Sequence, residues 1–370
     1  MDREMRVLHM SSEEGWRGGE QQVAYLLEDL LHKNVKNVLA VRAGSRLEHF
    51  SREKKISCYT VRFSNSMDFF SAFKINKICR NEKIDIIHLH TSKAQGVGVL
   101  STFYGNRVPM VLSRRVAFLP GKNIFSRWKY NQNQIKKILC VSEKIMTIMQ
   151  HYVRDRSKCI TIYSGIDLGK FTNIKPDRKF LVNEFNLDPE RVIIASIGAI
   201  DASKDHFTFV DTIERLVASG NAVQGLIIGD GPLSLVLKNY VQTKALDNHV
   251  RFAGYRKDVA IILASSDIFL MTSKEEGLGT SLLDAFLARI PVVATDAGGI
   301  PEIVRHLETG LLAPVKDSAK LSENVIRLLT DRQLRERLID QAYGFVKKFS
   351  KEETSSKTYK VYQEVLSKVI

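Results

Sequence analysis

Between positions 272 and 302 the chain reads TSKEEGLGTSLLDAFLARIPVVATDAGGIPE, its densest collection of groups that could do chemistry. Glu276 stands where an apolar run gives way to a loop, and Gly277 and Gly279 leave that loop's backbone open to ligand atoms. Thr280 and Ser281 begin a helical pattern over 281–289, where N–H groups and hydroxyls can hold a phosphate. Asp284 follows one turn into the helix, eight positions after Glu276. Two carboxylates so placed suit hydrogen bonds to the hydroxyls of one extended ligand. A metal would want more convergent donors, and none is expected. Glu302, just after the Gly298-Gly299 turn, can face the same ligand.

Four further features carry less information alone. Lys204 follows an apolar strand that ends at Gly198, and a lysine in such a loop is a point charge for a diphosphate. Gly18-Gly19 come after the first strand and open the first helix, a place where backbone can approach a phosphate; an ordinary tight turn would look the same. His88 and His90 share one side of the run IDIIHLH: His88 is expected to be a buried structural residue, and His90, at the carboxyl end, a functional one. Arg114-Arg115 close MVLSRR and offer guanidinium forks to a phosphate or an acceptor, although a solvated surface pair fits equally.

These residues need a scaffold that brings strand ends together. Short apolar runs alternate with amphipathic stretches along the whole chain. Strands are expected near 5–10, 38–42, 59–63, 84–90, 110–114, 137–141 and 159–163, then 192–198, 225–229, 250–253, 268–272, 291–294 and 311–313. Such alternation means βαβ units and parallel sheets covered on both faces. The polar stretch 172–190 breaks the rhythm and is the expected linker, and 318–370 is nearly all helical. The organisation follows: 1–171 as a first Rossmann-like domain, 191–350 as a second, and a closing helix over 351–370. Two doubly wound α/β domains would face each other across a cleft at the carboxyl ends of their sheets.

Composition agrees. A chain of 370 residues, 44% apolar and 26% charged, is too long for one ordinary core and too apolar to be disordered. Four scattered cysteines show neither a disulfide framework nor a zinc pattern. The opening MDREMRVLHM does not resemble a signal peptide, and no apolar run reaches spanning length, so a cytoplasmic location is expected. The net charge of +14 lies wholly in residues 1–170, with 29 Lys/Arg against 15 Asp/Glu. Residues 101–150 hold nine of those cations, including Lys122, Arg127 and Lys129, beside Phe118, Phe125 and Trp128. Cations interleaved with rings favour an anionic membrane surface. Nucleic acid is disfavoured, because neither a stacking platform nor a helix-turn-helix pattern is present.

The motifs together resemble the family-four retaining glycosyltransferases of GT-B fold. SKEEGLGTSLLD resembles the family's E-x7-E signature, HMSSEEGWRGGEQQ its glycine loop, DIIHLH its histidine strand and CVSEKI its serine-glutamate turn. TIYSGIDLGKF, IIGDGP, VRFAGYRKDV and GGIPEIV follow in the family's order, so the likeness covers nearly the whole chain. The resemblance implies a sugar transfer from a nucleotide-sugar donor, most simply a UDP- or GDP-sugar, to a glycan or lipid-linked acceptor. It places the donor against Gly18, Gly19, Gly198, Lys204, Tyr255, Glu276, Gly277, Leu278, Gly279, Thr280, Ser281 and Asp284. His90 and Glu276 take the catalytic positions, with no cofactor. Two departures stand out: Asp284 replaces the second glutamate, and Ala199 replaces an arginine that commonly accompanies Lys204. The alternatives are a sugar-nucleotide epimerase on the same fold and a non-enzymatic nucleic-acid-binding protein.

Overall fold

The computed structural model describes residues 3–121 and 123–368. The chain divides into two compact units, one of Met1–Gly165 with Lys351–Ile370 and one of Ile166–Ser350. In the first, strands β1 (Met5–Met10), β2 (Val35–Val41), β3 (Ser57–Thr60), β4 (Ile86–Leu89), β5 (Met110–Arg114), β6 (Ile135–Cys140) and β7 (Cys159–Thr161) alternate with helices. These are α1 (Gly18–Leu30), α2 (Arg46–Glu53), α3 (Phe69–Asn81), α4 (Ser92–Leu100), α5 (Ile124–Tyr130) and α6 (Glu143–Tyr152).

The second unit opens with α7 (Arg178–Phe185) and continues through β8 (Val192–Ile197), α8 (His206–Ala218), β9 (Val223–Ile228), α9 (Ser234–Thr243), β10 (Val250–Gly254) and α10 (Val259–Ala264). Then come β11 (Ile268–Met271), α11 (Thr280–Leu287), β12 (Val292–Thr295), α12 (Ile300–Ile303), β13 (Leu311–Ala313), α13 (Ser318–Thr330) and α14 (Arg332–Val346). The last helix, α15 (Lys351–Ser367), belongs to the first unit, where Val361, Tyr362 and Val365 pack with Val7, Ile86, Val111 and Leu139.

Both sheets are parallel, with strand orders β3-β2-β1-β4-β5-β6-β7 and β10-β9-β8-β11-β12-β13. Each reverses direction beside its first strand, between β1 and β4 and between β8 and β11. Loops leaving the carboxyl ends of those neighbours diverge there and leave a crevice. The strands read as near-continuous apolar runs because helices cover both faces.

The stretch 172–190 departs from its expected role as a linker. It contains α7, capped by the Asp177 carboxylate accepting from Phe180 N, and Leu181 and Phe185 are buried. The polar residues that interrupt the apolar rhythm are this short helix's outer face. Its Arg178 also pairs with Asp267 at 2.8 Å, fastening it to the second unit.

Candidate active site

In the second unit the crevice is built by two loops. After β8, the loop from Gly198 to Asp205 carries Lys204; after β11, the loop from Thr272 to Gly279 carries Glu276. Ser203 O accepts from Lys274 N at 2.8 Å, and Thr272 Oγ1 donates to Asp205 O at 2.9 Å, so each loop holds the other. Lys204 Nζ and Glu276 Oε2 form an ion pair in this cradle. Ser273 Oγ lies 3.5 Å from the same carboxylate, and Gly277 N donates to Glu276 Oε1 at 3.2 Å. The two residues that sequence reasoning assigned separately therefore meet.

Glycine makes the close approaches. Gly298 sits at φ +56°, and a Cβ there would fall 2.0 Å from Glu276 O; its neighbour Gly299 N donates to that same oxygen at 3.1 Å. A Cβ on Gly198 would press at 3.3 Å on the Lys204 chain, which lies flat over it. Gly279, at φ +88°, begins α11 with no side-chain cap, so the first N–H groups of that helix keep their donors for a ligand. Gly277 and Gly279 are buried and the Leu278 side chain is only 2% exposed, so this loop can present backbone alone. Thr280 and Ser281 are half-buried at the same end. Glu302 is half-buried in α12, and Tyr255, beyond the end of β10, exposes its ring.

Asp284 has a partner the sequence did not reveal. Lys170 Nζ sits 2.7 Å from Asp284 Oδ2, while Asp284 Oδ1 is buried with no hydrogen bond. Burial pushes this carboxyl above its usual range, and Lys170 opposes the shift. The free oxygen is an acceptor that a ligand hydroxyl can satisfy.

In the first unit His9, His88 and His90 stand on one face of the sheet, since His9 and His88 are register partners on β1 and β4. His88 is buried, as expected, between Ser113 Oγ at 2.8 Å and the Tyr362 hydroxyl at 2.5 Å. His90 is buried too, 6% exposed, and its Nε2 meets His9 Nδ1 at 3.1 Å; His9 Nε2 meets Asn37 Oδ1 at 3.1 Å. Arg115 reaches the His90 carbonyl and Nδ1 in long contacts of 3.4 and 3.5 Å. A guanidinium can only donate, so His90 Nδ1 accepts, His90 Nε2–H donates to His9, and His9 Nε2–H donates to Asn37. One nitrogen from each ring lies within 4.8 Å of the others, a spacing that could hold a metal ion. The Arg115 charge and the hydrogen already between His9 and His90 oppose that reading. Burial lowers the His9 pKa to about 4 and those of His88 and His90 well below normal, so the relay is neutral. Gly19 lies over Arg115, whose Cδ would be 3.8 Å from an added Cβ, while Gly18 begins α1.

Arg114 leaves β5 on the opposite face from Arg115 and is buried, not solvated. Its Nη1 donates to Tyr130 OH at 3.1 Å and its Nη2 to Phe118 O. Lys129 also turns inward, 5% exposed, so it is no part of an outer basic surface. Lys122 lies outside the described residues.

Comparison with known proteins bears on the family and the fold. A family model described as Glycosyl transferases group 1 matches residues 177–345, and one described as Glycosyltransferase Family 4 matches 16–170. The chain is 26% identical over 331 residues to an N-acetyl-alpha-D-glucosaminyl L-malate synthase of Bacillus anthracis, covering 86% of this chain and 84% of the relative. It is 26% identical over 282 residues to the UDP-Gal:alpha-D-GlcNAc-diphosphoundecaprenol alpha-1,3-galactosyltransferase of Escherichia coli, with 72% of each covered. The crystal structure of Anabaena Alr3699/HepE in complex with UDP-glucose superposes with a TM-score of 0.84 at 19% identity, over 98% of this chain and 100% of that one.

Proposed function

The chain belongs to the family-four glycosyltransferases of GT-B fold, and from that premise we propose that it moves a sugar from a UDP- or GDP-sugar to a glycan or lipid-linked acceptor, with retention and without a metal. The observation that carries the reading is the Lys204–Glu276 pair beside the uncapped start of α11. A donor diphosphate competes with Glu276 for Lys204 and takes the α11 N–H groups as further donors. Glu276, released, accepts hydrogen bonds from sugar hydroxyls, and Asp284 Oδ1 accepts from the ribose. The leaving diphosphate gains charge as the glycosidic bond breaks, and these prearranged donors stabilise it there. Glu276 is engaged as an acceptor rather than poised as a nucleophile, so attack comes on the face the phosphate leaves. In the first unit the neutral His90 borders the acceptor.

The acceptor side is proposed to work at an anionic membrane surface. Phe70 (91% exposed) and Phe73 on α3 share their helix with exposed Lys74, Lys77 and Arg80. Ile124 (88% exposed) and Arg127 lie on α5. Rings and cations so mixed match the headgroup layer of a bilayer. The relatives' names include a lipid diphosphate acceptor, which supports this reading over a wholly soluble one.

The deciding experiment pairs donor binding with turnover. UDP- or GDP-sugar should raise the melting temperature of the chain, and EDTA should leave turnover intact. Glu276→Gln should fold normally and lose about 10²–10³-fold in turnover, the usual effect of removing one preorganised group. Wild-type turnover in that variant, or activity restored only by magnesium or manganese, removes the assignment.

A further inference from the structure

Helix α5 turns one of its two cations inward. Ile124 and Arg127 are exposed, and Phe125 and Trp128 are half-buried, with Phe103 stacked on Trp128 at 5.7 Å; Lys129 is buried. Lys129 Nζ donates to Ser92 Oγ at 3.0 Å and lies 3.4 Å from Ser92 O, at the exposed first residue of α4. Among the described residues Arg114, beside it, donates to the Tyr130 hydroxyl and the Phe118 carbonyl and lies 5.1 Å from the Phe118 ring centre, and its Nε is buried with no hydrogen-bond partner. Among the described residues no carboxylate pairs with either cation. Burial and the Arg114 charge lower the Lys129 pKa to about 8. Two buried cations whose partners are neutral acceptors and rings are costly, because burial removes water without supplying an opposite charge. A bound anion would remove that cost. The apolar outer face, with exposed Phe118 and Leu119 on the loop that Arg114 holds, puts a hydrocarbon environment next to the same charges.

We propose that Lys129 and Arg114 bind the phosphate or diphosphate of a lipid-linked acceptor, whose chain lies along the apolar side of α5. The assignment rests on the lipid-linked reading of the acceptor given above. Ser92 Oγ supplies a neutral donor at the mouth, and the Phe118 carbonyl gives up Arg114 when the phosphate arrives.

The test uses the full chain with UDP at saturation, so that the donor crevice is closed to other diphosphates. Farnesyl diphosphate, farnesol, inorganic pyrophosphate and L-malate are titrated calorimetrically. Farnesyl diphosphate should bind more tightly than pyrophosphate or farnesol. Lys129→Met should weaken it by about tenfold or more, the loss expected when one charged hydrogen-bond donor is removed. The same variant should melt at a higher temperature than the wild type, because an unpaired buried charge has gone, and should bind UDP and anionic vesicles as before. Arg114→Gln repeats the binding comparison if Lys129→Met does not fold. Unchanged farnesyl diphosphate affinity in both variants overturns the proposal. So does displacement by malate at lower concentration than by pyrophosphate, which would make this a carboxylate site. Loss of vesicle binding in Lys129→Met would give the site to bilayer headgroups and overturn the acceptor assignment. Failure of UDP itself to bind would instead fault the donor reading, since Lys204 and α11 lie in the other unit.

Discussion

At the scale of single residues, the candidate site balances its charges internally. Lys204 is held by Glu276, and Asp284 by Lys170, so a donor bound as proposed would exchange one set of partners for another. Such pairing keeps the cost of holding buried charges small and leaves strong groups that a ligand could take over. Because Ala199 supplies no second cation, Lys204→Ala should weaken donor binding more than a surface lysine change would, by about tenfold to a hundredfold. Ala199→Arg should partly rescue it. Isothermal titration with the UDP-sugar checks both, and undiminished affinity in Lys204→Ala would end the diphosphate assignment. Lys170→Met tests the second pair. Leaving the Asp284 carboxylate buried without its cation should cost about 1–3 kcal/mol of stability in urea unfolding. Donor affinity should fall with it, since the carboxyl then holds its proton more firmly. A variant with stability and affinity both intact would show Lys170 to be idle.

At the scale of elements, β1 and β4 lay three imidazoles on one sheet face at successive levels above an apolar layer. The layer is Val7, Ile86, Val111 and Leu139; His9, His88 and Ser113 come two residues later, and His90 and Arg115 two later again. Packing against α1 and α15 removes the water that would charge the rings, and this gives stability a definite pH dependence. His9 has a folded-state pKa of about 4 against an ordinary 6.5, so below pH 6.5 the unfolded chain takes up a proton that the folded chain refuses. Its neutral burial therefore costs nothing above pH 6.5 and progressively more as the pH falls to about 4, reaching about 3 kcal/mol at 1.36 kcal/mol per unit. His88 and His90 act in the same direction. His206, in the second unit and also near 4, adds to the wild-type slope, so the informative quantity is the difference made by one substitution. His9→Gln should flatten the fall in urea midpoint between pH 7 and pH 5. Parallel curves for variant and wild type would mean that His9 accepts its proton without penalty.

At the scale of the whole molecule, what was legible in the sequence was whatever local pattern dictates. Thirteen expected strands correspond to β1–β13, because a parallel strand buried on both faces must be a short apolar run. Glu276 and Lys204 stand out in the sequence as candidates because glycines and strand ends mark loops at the crevice. Their pairing does not, nor does that of Lys170 with Asp284, 114 positions away, nor that of His9 with His90, 81 positions away. Such contacts depend on strand order, which no local period encodes. Lys129 misled for a different reason: a lysine in a basic, aromatic stretch reads as surface, and only packing turns it inward. The outer surface that remains on the first unit is sharper for its removal. Phe70, Phe73 and Phe103 lie on one stretch of surface, linked by the Phe73–Tyr104 edge contact, and Phe103 joins them to α5 through Trp128. A hollow of about 620 Å³ lined by Ile124, Arg127, Trp128, His151 and Arg154 adjoins that helix, with room for a headgroup. Each cation near an anionic bilayer contributes about 1 kcal/mol, and inserted rings add apolar burial, so several together suffice for reversible docking. The chain should float with vesicles containing phosphatidylglycerol and not with pure phosphatidylcholine, and should detach as salt rises toward 0.5 M, a concentration at which charges more than about 5 Å apart are screened. Arg127→Glu should weaken flotation while leaving its lipid preference, and Phe70→Glu with Ile124→Glu should abolish it at any salt. Lys204→Ala should float like the wild type. Equal binding to neutral vesicles, or none to anionic ones at low salt, would mean that this surface meets something other than lipid.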